Sequence, residues 1–159
     1  MFKSPGIKII ICILICLTLG FLSGISTAED INGWYVTLRK PSWNPPNGVF
    51  GPVWSLLYCL MGISIALIWH KPFPASKKKA YGLFGLQFVL NLLWSFIFFK
   101  MHNPALALAE ITVMWCLIVL TILQFHKIRK VSAYLLIPYL LWVSFAAILN
   151  ASIYSINYL

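Results

Sequence analysis

The chain has 159 residues, of which 61% are apolar and 9% are charged, whereas about 25% of the residues of a typical soluble domain are charged. So few polar residues cannot cover a water-exposed surface, which excludes a soluble domain and predicts a membrane protein with one domain over residues 1–159. Lysine and arginine give a net charge of +9, but they stand in short clusters between apolar runs. Such clusters orient membrane helices, whereas a nucleic-acid site would gather them on one soluble face. We therefore expect a lipid bilayer as a partner and no nucleic acid.

The first apolar run predicts a transmembrane helix over about residues 7–26, because a helix needs about 20 apolar residues to cross a bilayer. A cleavable signal peptide is the alternative, since the small residues Ser26-Thr27-Ala28 are typical of a cleavage site. The apolar stretch from Ile9 to Ile25 is longer than the roughly 7–15 residues usual in signal peptides, which favours a retained helix. Gly20 and Gly24 form a GxxxG pair that would let another helix approach closely.

The stretch from Trp34 to Trp54 is rich in aromatic residues and proline. Its four prolines, at positions 41, 45, 46 and 52, fix φ and remove backbone donors, so they predict an irregular backbone over most of its length. A flexible linker would instead be rich in Gly and Ser. Apolar side chains on a stiff, irregular backbone predict an ordered loop that packs on the helices.

Four more apolar runs predict transmembrane helices over about residues 49–69, 80–99, 105–125 and 132–157. Residues 70–74 end the first of these, Pro104 suits the first position of the third, and Ser132 is a candidate N-cap for the last. Because lipid leaves no unpaired backbone groups, the five runs predict an all-α bundle of five transmembrane helices.

The distribution of basic residues predicts the orientation of this bundle. One side receives Lys3, Lys8, Lys71, Lys77, Lys78, Lys79, Lys127, Arg129 and Lys130, and the other receives Arg39, Lys40 and Lys100. Because basic loops stay in the cytoplasm, we predict a cytoplasmic N-terminus in a bacterial cell membrane. The aromatic loop and the C-terminus then lie outside.

Polar and aromatic residues recur at four-residue spacing on the predicted helices, where such residues usually face the protein interior. These faces hold Trp54 and Tyr58 in the second helix, Gln87, Asn91 and Ser95 in the third, and Pro138, Trp142, Ala146, Asn150 and Tyr154 in the fifth. Pro138 also predicts a kink. The asparagines and Ser95 have an alternative role as interhelical hydrogen bonds, worth about 0.6 kcal/mol each. Glu110, the one acid within a predicted span, has the alternative of a favourable interaction with the helix N-terminus.

The cysteines and histidines do not predict a metal site. The four cysteines lie inside apolar runs, with no histidine at metal-ligand spacing, and are typical of packing residues. His70, His102 and His126 stand at the ends of predicted spans, which is typical of solvated boundary residues rather than of haem ligands.

Four spaced motifs resemble the TspO/MBR family, the tryptophan-rich sensory and translocator proteins. They are Trp34-Tyr35-x-x-Leu38-x-Lys40-Pro41-x-Trp43-x-Pro45-Pro46, Pro52-Val53-Trp54, Asn91-x-x-Trp94-Ser95 and Pro138-Tyr139-x-x-Trp142-x-x-Phe145-Ala146-x-x-Leu149-Asn150. The resemblance extends from Trp34 to about Asn157. It implies five transmembrane helices, homodimers, and a pocket under the first loop that binds porphyrins and, in mitochondrial relatives, cholesterol and synthetic ligands.

By resemblance, the ligand-binding residues are Tyr35, Trp43, Trp54, Asn91, Trp94, Ser95, Trp142, Ala146 and Asn150. Glu110 stands where relatives often carry Asp, so it joins this set. One feature departs from the mitochondrial members, because no Lys or Arg follows Tyr154 or Tyr158 to complete their cholesterol-linked motif. This departure argues against a sterol as the ligand.

The first functional hypothesis is a membrane sensor or transporter that requires no cofactor and binds a flat hydrophobic ligand, such as protoporphyrin IX or haem, between aromatic walls. The second, implied by the resemblance, is light- and oxygen-dependent degradation of the porphyrin, with Trp54 and Trp142 as redox partners. The sequence shows no nucleophile–base pair, metal cluster or phosphate loop, which favours binding over catalysis. The third is a structural subunit or small channel.

Overall fold

The computed structural model describes residues 4–70 and 76–159. The predicted features at Lys3 and at residues 71–75 lie outside the described residues. The helices in chain order are α1 Pro5–Asn32, α2 Trp34–Thr37, α3 Asn47–His70, α4 Ser76–Ser95 with a π-helical turn at Phe96–Lys100, α5 Pro104–Ile128, α6 Lys130–Tyr134 and α7 Ile137–Tyr158.

Five segments of the described chain are long and apolar enough to cross a membrane: Pro5–Asn32, Asn47–His70, Lys77–Lys100, Pro104–Ile128 and Lys130–Tyr158. These segments confirm the predicted all-α protein with five membrane-spanning helices. Pro104 begins its helix as predicted, and the side chain of Asn103 caps it by accepting a hydrogen bond from the backbone N–H of Leu106 at 3.0 Å.

The first helix continues beyond the predicted end at residue 26, to Asn32. Its polar last turns stay helical because their side chains find partners. The Thr27 hydroxyl donates to the carbonyl of Gly24 at 3.2 Å, and Asp30 accepts a hydrogen bond from Lys100 at 3.1 Å. The small residues that resemble a cleavage site thus lie within a continuous helix, with Thr27 buried. Retention of α1 stays a prediction, which this packing supports.

The irregular loop is shorter than predicted and covers residues 38–46. Residues 34–37 form α2, and α3 begins at Asn47, two residues before the predicted start, so Pro52 lies within the predicted second span and not in irregular backbone. Pro52 lies in the second turn of α3, where its missing N–H removes a single bond to the carbonyl of Gly48. A helix tolerates that loss more easily near its start than in its middle.

The fifth span is broken where Pro138 predicts a kink. α6 ends at Tyr134, a turn follows, and α7 begins with Pro138 in its first turn. The prediction of Ser132 as an N-cap is wrong, because Arg129 occupies that position and Ser132 is buried within α6. The carbonyl of Ser132 instead accepts a hydrogen bond from the Ser64 hydroxyl at 2.7 Å, which joins α6 to α3.

Two glycines let α1 and α3 pack closely along each other. A Cβ at Gly62 would lie 2.6 Å from the Cα of Ile13, so the backbones of the two helices meet there. Gly20 lies against the ring of Tyr58, whereas a Cβ at Gly24 would meet no atom within 4 Å. Of the predicted GxxxG pair, therefore, only Gly20 makes a close contact.

The larger of two clusters of buried apolar side chains lies in the half of the bundle nearest the lysine-rich ends of the helices, and the smaller one, with Phe98 and Ile153, lies near the aromatic loop. Met61 and Ile68 of α3 and Ile118 and Phe125 of α5 are at most 1% exposed in the larger cluster. The half nearest the aromatic loop is packed less completely, and this difference positions the cavity described below.

The side chain of Asn150 joins α7 to the first turn of α5. Its amide donates to the carbonyl of Pro104 at 3.0 Å and accepts from the backbone N–H of Leu108 at 3.1 Å. Asn150 is 1% exposed, so both bonds form away from water. This contact corresponds to the interhelical role that the sequence left open for Asn150.

Replacing Gly62 by Ala should destabilise the protein, because the added methyl group meets backbone and the two helices must separate. Overpacking of this kind costs about 1–3 kcal/mol. Thermal unfolding of the purified protein in detergent, followed by circular dichroism, should show a lower midpoint. Gly24→Ala is the matched control, since its methyl group enters open space, and equal midpoints for the two variants would contradict the packing of α1 on α3.

Replacing Asn150 by Ala should also lower the unfolding midpoint, because it removes the two buried hydrogen bonds that join α7 to α5. A buried hydrogen bond contributes about 0.5–1.5 kcal/mol, so the loss of two costs about 1–3 kcal/mol. Ser152→Ala is the control, since that hydroxyl donates only to the carbonyl of Ile148 in its own helix. A midpoint for Asn150→Ala no lower than that of the control would show that the contact with α5 contributes nothing.

Candidate functional site

A cavity of about 640 Å³ opens in the half of the bundle nearest the aromatic loop. It lies among the part of α1 from Leu17 to Ile31, the start of α3, the end of α4 and the part of α7 from Trp142 to Ile153, with Tyr35 of α2 beside it. Its volume is within the range of about 300–1,000 Å³ that small-molecule sites usually have.

Aromatic rings form most of three walls, and each is held by another ring. Phe50 of α3 meets Trp142 of α7 edge to face, with centroids 6.0 Å apart. Trp54 stacks on Tyr58 at 5.6 Å, and Trp94 stacks on Phe98 of the π-helical turn at 5.0 Å. Because these contacts fix the rings against one another, the walls are rigid apolar faces.

The fourth wall is α1, which the sequence did not indicate as part of the site. Small residues at Gly20, Gly24, Thr27 and Ala28 line the cavity along one face of this helix. Their spacing of four, three and one residues was a signal in the sequence, since small side chains leave room between helices. The resemblance, however, drew attention only to motifs that begin at Trp34.

Eight of the ten predicted ligand-binding residues line this one cavity: Tyr35, Trp54, Asn91, Trp94, Ser95, Trp142, Ala146 and Asn150. They come from four helices and are brought together by the fold, although their contact with a ligand stays a prediction. Asn150 forms part of the cavity wall, but its amide is already hydrogen-bonded to the first turn of α5.

Trp43 and Glu110 lie outside the cavity lining. Trp43 stands on the outer side of the loop, 46% exposed, with its ring edge to face with Phe145 at 5.8 Å. Glu110 is on α5, which packs behind α4 and α7 and contributes no lining residue among those described. Both carboxylate oxygens of Glu110 are buried without a hydrogen-bond partner in the described chain.

Four polar side chains at the inner end of the cavity form a hydrogen-bonded chain. The Tyr58 hydroxyl donates to Asn91 Oδ1 at 2.7 Å, Asn91 Nδ2 donates to the Tyr139 hydroxyl at 3.2 Å, and that hydroxyl donates to Gln87 Oε1 at 2.8 Å. Tyr58 and Asn91 line the cavity, whereas Tyr139 and Gln87 lie behind them. All four side chains are buried, so the chain ties α3, α4 and α7 together away from water.

The irregular loop is fixed to the bundle beside the cavity. The Tyr35 hydroxyl donates to Asn44 Oδ1 at 3.1 Å, and the Lys40 ammonium lies 4.5 Å from the centre of the Tyr35 ring. Asn157, near the end of α7, accepts from the backbone N–H of Arg39 at 2.9 Å and donates to its carbonyl at 2.8 Å. The loop therefore packs on the bundle as the sequence predicts.

Burial shifts the pKa of both titratable groups in this contact, the Tyr35 phenol and the Lys40 ammonium. It raises the pKa of the Tyr35 phenol, and the bond to Asn44 opposes that shift only in part. Burial also lowers the pKa of the Lys40 ammonium. The phenol thus keeps its proton at neutral pH and remains a hydrogen-bond donor to the loop.

A second contact fixes the outer end of α1 to the turn between α4 and α5. Asp30 accepts from Lys100 at 3.1 Å and lies 3.2 Å from Nε2 of His102. The His102 ring stacks on Trp34, with centroids 4.5 Å apart and planes 14° from parallel. This contact holds the start of α2, and with it Tyr35, at the outer rim of the cavity.

The cavity thus presents broad aromatic faces and a small polar floor, an arrangement suited to a flat, mainly apolar molecule with one or two polar atoms. The TspO/MBR family model matches residues 12–155 of this chain. The tryptophan-rich protein TspO of Chlorobaculum tepidum is 41% identical over 148 residues, which cover 92% of this chain and 94% of that relative. The protein of the same name from Archaeoglobus fulgidus is 40% identical over 152 residues, covering 95% and 97%.

The similarity also extends to animals, since the translocator protein of Homo sapiens is 35% identical over 127 residues, covering 79% of this chain and 75% of that relative. The family model and the relatives together span the five long helices and the cavity. They confirm the resemblance drawn from the tryptophan and proline motifs: the chain belongs to the TspO/MBR family of multi-pass membrane proteins.

Proposed function

We propose that this protein is a membrane sensor or transporter that binds a flat apolar ligand of the porphyrin class in the cavity between α1, α3, α4 and α7. The observation that carries the proposal is the cavity itself, about 640 Å³ with tryptophans on three of its walls. Indole faces offer large rigid areas for stacking on a planar ring system.

The polar groups of the cavity support the same class of ligand. The hydroxyls of Ser23, Thr27 and Ser55 already donate to backbone carbonyls. At the inner end Tyr58 and Asn91 meet, and Ser95 is one turn away. A ligand with an apolar body and a small number of peripheral oxygens fits this division better than a sugar or a nucleotide, which would need polar partners on every side.

A second candidate function is the light- and oxygen-dependent degradation of a bound porphyrin. The observation that favours it is the placement of Trp54 and Trp142, whose indoles line the same cavity. Each belongs to a series of ring contacts, Trp54 with Tyr58 and Tyr139, and Trp142 with Phe50 and Phe145. Indole side chains at these positions would serve as electron donors to an excited porphyrin.

The proposal includes a bacterial cell membrane with the N-terminus in the cytoplasm, and a homodimer as the family resemblance implies. The basic residues support the orientation, since Lys8, Lys77–Lys79 and Lys127–Lys130 cluster at one end of the bundle. The aromatic loop and the cavity then belong to the half of the protein that faces away from the cytoplasm.

Trp142→Ala and Trp54→Ala should each weaken the binding of protoporphyrin IX, because each removes one aromatic wall. With the stacking and the apolar contact both lost, the cost is about 2–3 kcal/mol, or about 30- to 150-fold in Kd. Fluorescence-quenching titrations in the dark measure this change. Trp69→Ala is the control, since Trp69 lies at the other end of α3, beneath the Lys8 ammonium at 5.3 Å.

Equal affinity for the three alanine variants, each shown to be folded, would mean that the cavity is not the porphyrin site. Illumination in air then separates the two candidate functions. Stable pigment supports the sensor or transporter, whereas pigment loss that slows in Trp54→Phe and Trp142→Phe supports degradation, because phenylalanine is harder to oxidise than tryptophan.

The orientation is tested with a cysteine added after Leu159 in a variant whose four native cysteines are replaced. An outside C-terminus should react with a membrane-impermeant maleimide in intact spheroplasts. Labelling that requires lysis would reverse the orientation and place the cavity on the cytoplasmic side.

A further inference from the structure

The hydrogen-bonded chain at the cavity floor has a direction. In the arrangement described above, every proton points away from the cavity: from Tyr58 to Asn91, from Asn91 to Tyr139, and from Tyr139 to Gln87. The Tyr58 oxygen then offers the cavity only lone pairs, so this direction suits a ligand that donates a hydrogen bond.

The far end of the chain carries an unsatisfied group. Gln87 is 1% exposed, and its Nε2 has no hydrogen-bond partner in the described chain. A buried amide nitrogen without an acceptor is costly, and native proteins leave donors unpaired more rarely than carbonyl oxygens. The present direction of the chain therefore has a free-energy cost, which comes from the unpaired Nε2 of Gln87.

The same atoms also support the opposite direction. The oxygen and nitrogen of a side-chain amide have nearly the same size and place, so turning the amides of Gln87 and Asn91 preserves each distance. Gln87 Nε2 then donates to Tyr139, Tyr139 donates to Asn91, and Asn91 donates to Tyr58. The group left unpaired behind the chain is now a carbonyl oxygen, and the Tyr58 proton is free to point into the cavity.

The content of the cavity determines which of the two hydrogen-bond directions is the more stable. An apolar or empty cavity leaves the Tyr58 proton without an acceptor, which opposes the reversed direction. A ligand oxygen at that place accepts the proton, and this completes the reversed chain. The direction is thus coupled to the hydrogen-bonding character of the ligand.

We propose that Tyr58, Asn91, Tyr139 and Gln87 form a reversible hydrogen-bond relay that selects ligands with a carbonyl or carboxylate oxygen at the cavity floor. The inference rests on the proposed function, since it assumes a flat ligand in this cavity. Tyr139 and Gln87 act as positioning residues, because they lie behind the lining and set the direction in which Asn91 and Tyr58 present their protons.

The test compares two porphyrins in the same titration. Protoporphyrin IX carries carboxylate oxygens, whereas etioporphyrin has the same macrocycle with alkyl groups alone, so the ratio of their Kd values isolates the contribution of the oxygens. Tyr139→Phe interrupts the relay and should reduce the preference for protoporphyrin IX by about 3- to 10-fold, with little change for etioporphyrin. Tyr134→Phe, which removes the same atom from an exposed tyrosine, should leave both unchanged.

Gln87→Met should act in the opposite sense. It removes the carbonyl oxygen that holds the present direction and leaves Tyr139 only the weak acceptor Met114 Sδ at 3.8 Å, so the Tyr139 proton turns to Asn91 and Tyr58 donates into the cavity. The preference for protoporphyrin IX should then rise, by up to about threefold. Opposite effects from two adjacent buried positions are not expected of a general loss of packing.

Nuclear magnetic resonance of side-chain amides reports the direction itself. Addition of protoporphyrin IX should move the Gln87 amide protons downfield, as they gain an acceptor, and etioporphyrin should not. A ratio that is unchanged in Tyr139→Phe, or lowered alike in both variants, would overturn the relay while leaving the porphyrin site intact. Failure of the wild-type protein to bind either porphyrin would overturn the proposed function and the relay with it.

Discussion

Inside a bilayer no water is available to pair with polar groups, and this constraint determines where the polar side chains of this protein lie. Several polar residues, buried or half-buried, each join two helices. Asn150 bonds to the first turn of α5, Ser64 bonds to α6, and the Ser23 hydroxyl donates to the carbonyl of Leu92 at 3.1 Å, which joins α1 to α4. These hydrogen bonds join the helices at a few positions. Between them the helix surfaces are apolar and gain no hydrophobic free energy by leaving lipid for protein.

The cavity results from the distribution of these hydrogen bonds and of the large side chains along the bundle. Methionine, isoleucine and phenylalanine fill the lysine-rich half of the bundle, whereas the other half combines tryptophans held by neighbouring tyrosine and phenylalanine rings with a line of small residues on α1. Rings fixed at their edges cannot collapse into the space beside glycine. An enclosed volume thus persists in the half where the aromatic loop is fixed by Asn157 and Tyr35.

Much of this arrangement could be predicted from the sequence, because the signals are strong where composition and spacing agree. The five spans, Pro104 at a helix start and the break at Pro138 all followed from hydropathy and from the geometry of proline. The end of α1 did not, since polar residues whose side chains find partners continue a helix that hydropathy alone would end near residue 26.

The placement of Glu110 and Trp43 could not be read from the sequence for a different reason. Helices that are apolar on every side carry no periodic mark of which face meets a cavity and which meets lipid or another helix. That α5 packs behind its neighbours is set by the whole bundle. For Trp43, the motif predicts an aromatic residue in the loop but does not fix the side to which its ring turns.

The attachment of α1 has a mechanical consequence. The helix is held near one end, where Ile13 meets Gly62, and at the other, where Asp30 meets Lys100 and His102. Between these two contacts Gly20 lies against the Tyr58 ring and the Ser23 hydroxyl donates to the carbonyl of Leu92, so a rod fixed at four places along its length cannot bow away from the cavity. A bound molecule must therefore fit the space that Gly24 leaves open, where a Cβ would meet no atom within 4 Å, rather than push α1 aside.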